Sequence, residues 1–447
     1  MERLTEQIAT FSQGLTYSDL PPPVIAKAKD LLLDALGCAL GASSSPPAKI
    51  AQAMAAGVTS TTPATVLCTG HRTSPDLAAF ANGVMIRYLD YNPSDVIAAV
   101  LAATEAGHGD GKSAILGMVL AFEVLSGLHH DRSRAEGGWT RWDSATYTTI
   151  AAAAVAAKEL GLNREQTGHA ISLAAVSHLT LGKIRRGQMS HWKGCATANA
   201  SRNAVFCALL ASQGMTGPNP VFEGRNGFFE AIGSELEFEP RPSGEFRIMD
   251  AFVKWVPCGF YGQAAVEAAL ELRGQTEHLD TLLEIRILTS PHGAEAMATD
   301  VSRWQPDTRE TADHSLPFVV AIALMEGGLE IRHYDEEYYK RADVRDLMAR
   351  IKVHAAAEFG SGFGELPFTE VAVESRSGQV HTARVIHPLG HPQRPMTDAD
   401  YERKFRSMAE PILPEPQLAL LVDRIRTLER VQDMGDVLEL TAPPPGA

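Results

Sequence analysis

Cysteine is scarce: five residues in 447, at 38, 68, 195, 207 and 258, with no two forming a CxxC pair. That spacing argues against both a zinc site and a disulfide framework, and it fits a reducing compartment. Basic residues are also in deficit. Forty Lys and Arg face 54 Asp and Glu, a formal net charge of −14. Nucleic-acid binders normally present a basic face, so no nucleic-acid partner is expected. No apolar run is expected to reach the ~18 residues of a membrane span, because charges interrupt the alanine-rich segments. The N-terminus, MERLTEQIATFSQGL, carries acids and has no apolar core of signal-peptide length, so no export or transit peptide is expected. A cytoplasmic protein is the resulting expectation. No internal repeat is evident.

What is present is helix. Residues 1–270 read as almost entirely helical. Pro21 to Pro23 separate two helices, and in the second Ile25, Ala28, Leu32, Ala35 and Ala39 keep close to one face. Ser74-Pro75-Asp76 is a helix start, and the run it opens passes through AAFANGVMIRYLDY. Asn163 and Gln166 are spaced as a capping box. After about Arg273 the pattern changes. Leu283, Ile285 and Ile287 alternate with more polar neighbours and predict a strand, as do Lys352 to Glu358. Two further alternating runs flank Ser377-Gly378, a hairpin signal. Residues 274–396 therefore read as a small α+β domain closed by the linker HPLGHPQRP. Helical character returns from Thr397 to Glu410 and from Glu415 to Gln432, and these last helices are expected to pack back on residues 1–273.

The chemistry-bearing residues fall in five patches. NGVMIRYLDYNPSD ends an apolar helix at Asp90. GGWTRWDSATY, with Trp142 and Ser144, enters an alanine-rich helix. LGKIRRGQMSHWKGCATANASRN concentrates Lys183, Arg185, Arg186, His191 and Lys193 before a small-residue helix. Lys193 so sits near a helix N-terminus, where N–H groups and the dipole favour an anion. VKWVPCGFYGQAA places Lys254 in an apolar run, where an ammonium needs an anion or a depressed pKa. TRETADHSLPF puts Arg309, Asp313 and His314 before a helix. Singly, each patch is explained as readily by a cap, a core aromatic or a solvated loop.

Together, in order and at sensible spacing, these segments with MTGPNPVFEGRNGFF and the late YERKF resemble the MmgE/PrpD family of 2-methylcitrate dehydratases, cis-aconitate decarboxylases and an iminodisuccinate epimerase. The resemblance implies a mainly α fold: a large all-helical domain built from both chain ends plus a smaller α+β lid. It also implies a homodimer, and chemistry with no metal and no organic cofactor. Of the family's site positions this chain keeps Asp90, Lys193, Lys254, Arg309, Asp313 and His314. The departures from the family pattern lie around them. The loop after Asp90 is short and lacks its histidine. Ser144 follows Asp143 where histidine is common. Tyr261 stands where a histidine usually follows the Lys-x-x-Pro segment, and Phe318 replaces a tyrosine.

The site expected from the sequence is thus Asp90, Lys193, Lys254, Tyr261 and Ser144 as the reacting groups. Arg185, Arg186, His191, Trp142 and Phe318 are expected to contact the substrate. The reading they support is a lyase of dehydratase or decarboxylase type, acting on a small carboxylate by proton transfer α to the carboxylate. Two alternatives stand beside it: a repurposed isomerase, epimerase or cyclase in a specialised pathway, and a non-catalytic relative that binds a metabolite.

Overall fold

The computed structural model describes residues 1–93, 95–132, 141–275, 279–356 and 368–444. Helix accounts for 59% of the chain and strand for 8%, so the fold is mainly α. The helical body is organised around Pro22–Ala42. Every residue from Leu31 to Leu40 is buried, so this helix is enclosed all round rather than along the single face its sequence suggests. Pro75–Tyr88 packs on one side of it, and Asp398–Ala409 and Glu415–Arg426 pack on it from the far end of the chain. Glycines make that closure possible. A Cβ on Gly37 would lie 3.2 Å from the Phe405 backbone, and one on Gly41 would lie 3.1 Å from Met408. The two chain ends share one core because Phe405 and Met408 fill those notches.

Local signals hold where they were strong. Asn163 accepts a hydrogen bond from the Gln166 N–H and starts the helix Arg164–Ser177. Two readings need correction. Gly111–Leu128 does have the length and mean hydropathy (1.5) of a spanning segment, but 72% of it is buried inside the protein, as a core helix would be. The second late helix ends at Arg426, and a 3-10 turn at Leu428–Arg430 replaces its predicted last turn.

The smaller domain is a four-stranded sheet in the order Ile351–Ala355, Leu282–Thr289, Thr369–Ser375, Val380–Val385. The first pair is parallel and the other two are antiparallel. A register shift between Leu282 and Glu284 puts Leu282 in the core and leaves Leu283 56% exposed, so the alternation predicted from Leu283 begins one residue too late. Of the predicted strand Lys352–Glu358, residues 357 and 358 lie outside the described residues, as do Gly137 to Thr140 of the second patch. The helix Gly262–Arg273 buries Ala264, Ala265 and Ala268 with the sheet and with Leu316–Glu326. By packing, this helix belongs to the smaller domain, although its alanine-rich sequence reads as part of the body.

One helix crossing positions the site. Pro75–Tyr88 and Trp192–Ser212 approach so closely that a Cβ on Gly83 would lie 2.8 Å from the Ala198 backbone, and one on Gly194 would lie 3.3 Å from the Tyr88 backbone. The small-residue run after Lys193 thereby brings the start of one helix against the end of the other.

Candidate active site

Asp90 stands just past that helix end with φ +51°, a left-handed conformation that Asp tolerates better than most residues. It is 2% exposed. Lys254 Nζ lies 2.9 Å from Asp90 Oδ2 and donates to the Asp90 carbonyl at 2.9 Å. Lys193 Nζ lies 3.8 Å from Asp90 Oδ1 and donates to both oxygens of Asp313 at 2.9 Å. The smaller domain supplies Asp313 and its neighbour His314, whose Nδ1 is 2.5 Å from Asp313 Oδ1. Arg309 Nη1 lies 3.6 Å from Asp313 Oδ2 and donates to the Tyr88 carbonyl. A buried chain of alternating charge therefore runs from the helical body into the smaller domain. Lys404, in the late helix, fixes it from behind by donating to the carbonyls of Tyr91 and Lys254 while pairing with Asp34.

Burial by itself would raise both carboxyls. At Asp90, Lys193 and then Lys254, His314 and Arg87 outweigh it and hold the group well below the usual carboxylate range. At Asp313, Lys193 and His314 likewise outweigh burial and lower the carboxyl. Burial, reinforced by the Lys193 charge, pushes the His314 imidazole down to about 4. Burial also lowers the Lys254 ammonium, against the pull of Asp90. At neutral pH His314 is then a neutral imidazole that donates Nδ1–H to an ionised carboxylate, which leaves the Nε2 lone pair for the cavity it lines. Asp90, Asp313 and His314 offer ligand atoms within 4.8 Å of one another. The Lys193 ammonium already sits between the two carboxylates, however, so this donor set suits a resident lysine better than a metal cation.

The cavity is about 370 Å³ and lies between the two domains. Among the described residues four cations line it, and each is paired. Lys254 meets Asp90, Arg87 meets Asp95 at 2.8 Å, Arg185 meets Asp143 at 2.5 Å, and Arg186 meets Glu295 at 2.8 Å. Met189, Phe252, Phe260, Tyr261, Met297, Ser144, His292 and His314 complete most of the wall. The arrangement can hold an acid against cations and present an imidazole base to it.

The MmgE/PrpD N-terminal domain model matches residues 6–241, and the MmgE/PrpD C-terminal domain model matches residues 256–427. The chain belongs to the MmgE/PrpD family. It is 26% identical over 452 residues to a cis-aconitate decarboxylase of Homo sapiens, covering 97% of this chain and 93% of the relative. It is 28% identical over 402 residues to a 2-methylcitrate dehydratase of Salmonella typhimurium, covering 81% of each. It is 26% identical over 453 residues to an alkylcitrate dehydratase of Talaromyces stipitatus, covering 93% and 92%. These relatives are dehydratases and decarboxylases, so the family-level activity they support is lyase chemistry.

Within this MmgE/PrpD chain, Asp90, Ser144, Arg185, Arg186, Lys254 and Tyr261 all line the cavity. The other four expected residues do not. Lys193 lies behind the wall, 3% exposed, and the carboxylates it holds are the protein's own. His191 points outward with its side chain 52% exposed, 3.9 Å from Glu310. Trp142 pairs its backbone with Leu181 and packs against the helical core. Phe318 is wholly buried in the smaller domain beside Tyr334, on a helix whose residues Leu316 to Leu324 are all buried. Conversely, His314 and His292 restore imidazoles to a site whose sequence had lost them elsewhere. The signal for His314 was its place beside Asp313 just before a helix. Nothing local marks His292, which one turn of helix, Pro291–Ala294, carries to the cavity.

Proposed function

We propose that the protein is a lyase of dehydratase type acting on a small β-hydroxy carboxylate. His314 takes the proton α to the carboxylate through Nε2. Lys254 and Arg87 take up the negative charge that develops on the carboxylate, and the β C–O bond breaks to give the unsaturated acid and water. Tyr261 is the O–H group on the wall that meets the departing oxygen. The observation that carries this reading is the Asp313–His314 pair. Asp313 orients the imidazole through Nδ1, and a value of about 4 keeps it unprotonated at neutral pH and so available as the base, at some cost in basicity. Decarboxylation instead needs an acid to protonate the carbanion left by CO2, and His314 is poorly charged for that work.

Epimerisation shares the abstraction step and is the second reading; it differs in returning the proton to the opposite face. The test is to incubate the protein in D2O with β-hydroxy acids carrying one to three carboxylates. Ultraviolet absorbance of the conjugated product and deuterium at the α-carbon are both followed. Dehydration predicts rising absorbance, lost at least about 100-fold in His314→Gln. Deuterium without absorbance would favour epimerisation. CO2 release from cis-aconitate without either would refute the base assignment. The homodimer expected from the resemblance forms part of this proposal, and sedimentation equilibrium checks it.

A further inference from the structure

We infer that the cavity takes an acid with a single carboxylate and an apolar body, in preference to a di- or tricarboxylate. This assignment rests on the lyase reading and narrows its substrate. Citrate- and aconitate-type acids carry three carboxylates. Here each of the four cations that line the cavity among the described residues already has a carboxylate of the protein within 2.9 Å, so those pairs add no net charge to the wall. Behind it, Lys193 and Arg309 flank Asp313, two cations to one acid. Buried Glu310, next to Arg309, carries a further negative charge, so the described groups hold no surplus of cations for a polycarboxylate.

Lysine and arginine have donors to spare, so one incoming carboxylate can share a cation with its resident acid. A second and a third would add uncompensated negative charge beside the resident carboxylates. The rest of the wall suits the same class. Met189, Phe252, Phe260 and Met297 contribute apolar surface to it that offers nothing to a carboxylate and would bury an alkyl chain. At longer range the chain's charge of −14 disfavours the approach of a trianion more than that of a monoanion. One pair is weaker than the others. Arg186 and Glu295 sit at the rim with side chains 36% and 42% exposed, so removing Glu295 would free a cation without opening the core.

Hexanoate, adipate and tricarballylate are six-carbon acids with one, two and three carboxylates. Their binding to the full-length protein is measured by calorimetry at fixed ionic strength and pH 7.5. The expected order is hexanoate tightest, adipate intermediate and tricarballylate at least tenfold weaker than hexanoate. In Glu295→Gln, adipate should gain at least threefold relative to hexanoate. Equal or reversed order in the wild type, or no binding of hexanoate, overturns the assignment. So does an unchanged adipate-to-hexanoate ratio in the variant. Turnover is read separately, on 3-hydroxyhexanoate and citrate. If the binding order holds and neither hydroxy acid is dehydrated, the lyase reading fails and the ligand class stands. If citrate is dehydrated and bound more tightly, the ligand class fails and the lyase reading stands.

Discussion

Replacing Lys193 by methionine should reverse the sign of the protein's acid response. In the wild type the ammonium lies 2.9 Å from both Asp313 oxygens and 3.8 Å from Asp90 Oδ1, and it is one reason the His314 imidazole titrates at about 4. The folded value lies below the unfolded value near 6.5, so the unfolded state binds more protons between those pH values. Wild-type stability therefore falls as pH drops from about 6.5 to 4, by about 3 kcal/mol from this group. Methionine keeps the length and apolar stem but removes the charge, stranding two buried carboxylates. Breaking a buried pair in this way costs about 3–5 kcal/mol. The nearest group able to compensate is His314, 2.5 Å from Asp313. Its folded pKa should rise above 6.5, so the stability it contributes is fully present below 6.5 and lost as pH rises through the new value. Urea unfolding at several pH values should then show the largest deficit near pH 8, shrinking towards pH 5. Histidine NMR measures the cause directly. With 15 histidines in the chain, a His314→Gln spectrum is needed to assign the resonance. If His314 in Lys193→Met still titrates near 4, the proposed coupling of lysine, carboxylate and imidazole is wrong.

Three further outcomes follow from the same structure. Phe318→Tyr puts a hydroxyl into the wholly buried core beside Tyr334; the cost should be about 1–3 kcal/mol in thermal or urea unfolding, with substrate KM unchanged, and a change in KM would return Phe318 to the site. Gly83→Val forces a side chain to 2.8 Å from the Ala198 backbone, so unfolding free energy should fall by at least about 1–3 kcal/mol, and kcat should fall with it because the crossing holds Asp90 against Lys193. His191→Ala removes an exposed ring and should change kcat/KM less than twofold; a tenfold loss would show that the imidazole reaches the substrate.

Much of the helical framework was legible because its determinants are local. Asn163 and Gln166 are three residues apart and cap a helix by themselves. Ser315 accepts from the Phe318 N–H and opens the next helix in the same way. Misreadings fell where a distant partner overrode the local pattern. Gly262–Arg273 has an alanine-rich sequence typical of the body, yet the sheet covers it. Leu282 displaces Leu283 from the core because of a register shift in pairing with Thr369–Ser375.

The site divides along the same line. Sequence by itself determined that Asp90 ends a helix, that Lys193 begins one, and that Lys254 lies in an apolar run, since each depends on neighbours within a turn or two. It could not say which charges would meet, because Lys193 and Asp313, Lys254 and Asp90, and Arg186 and Glu295 come from segments 120, 164 and 109 residues apart. Only the tertiary structure decided that Lys193 meets Asp313, and that the cavity cations come already paired. It also brought His314 into the space the absent histidines would have filled. A buried charge is defined by what surrounds it, and that surrounding is assembled by the fold.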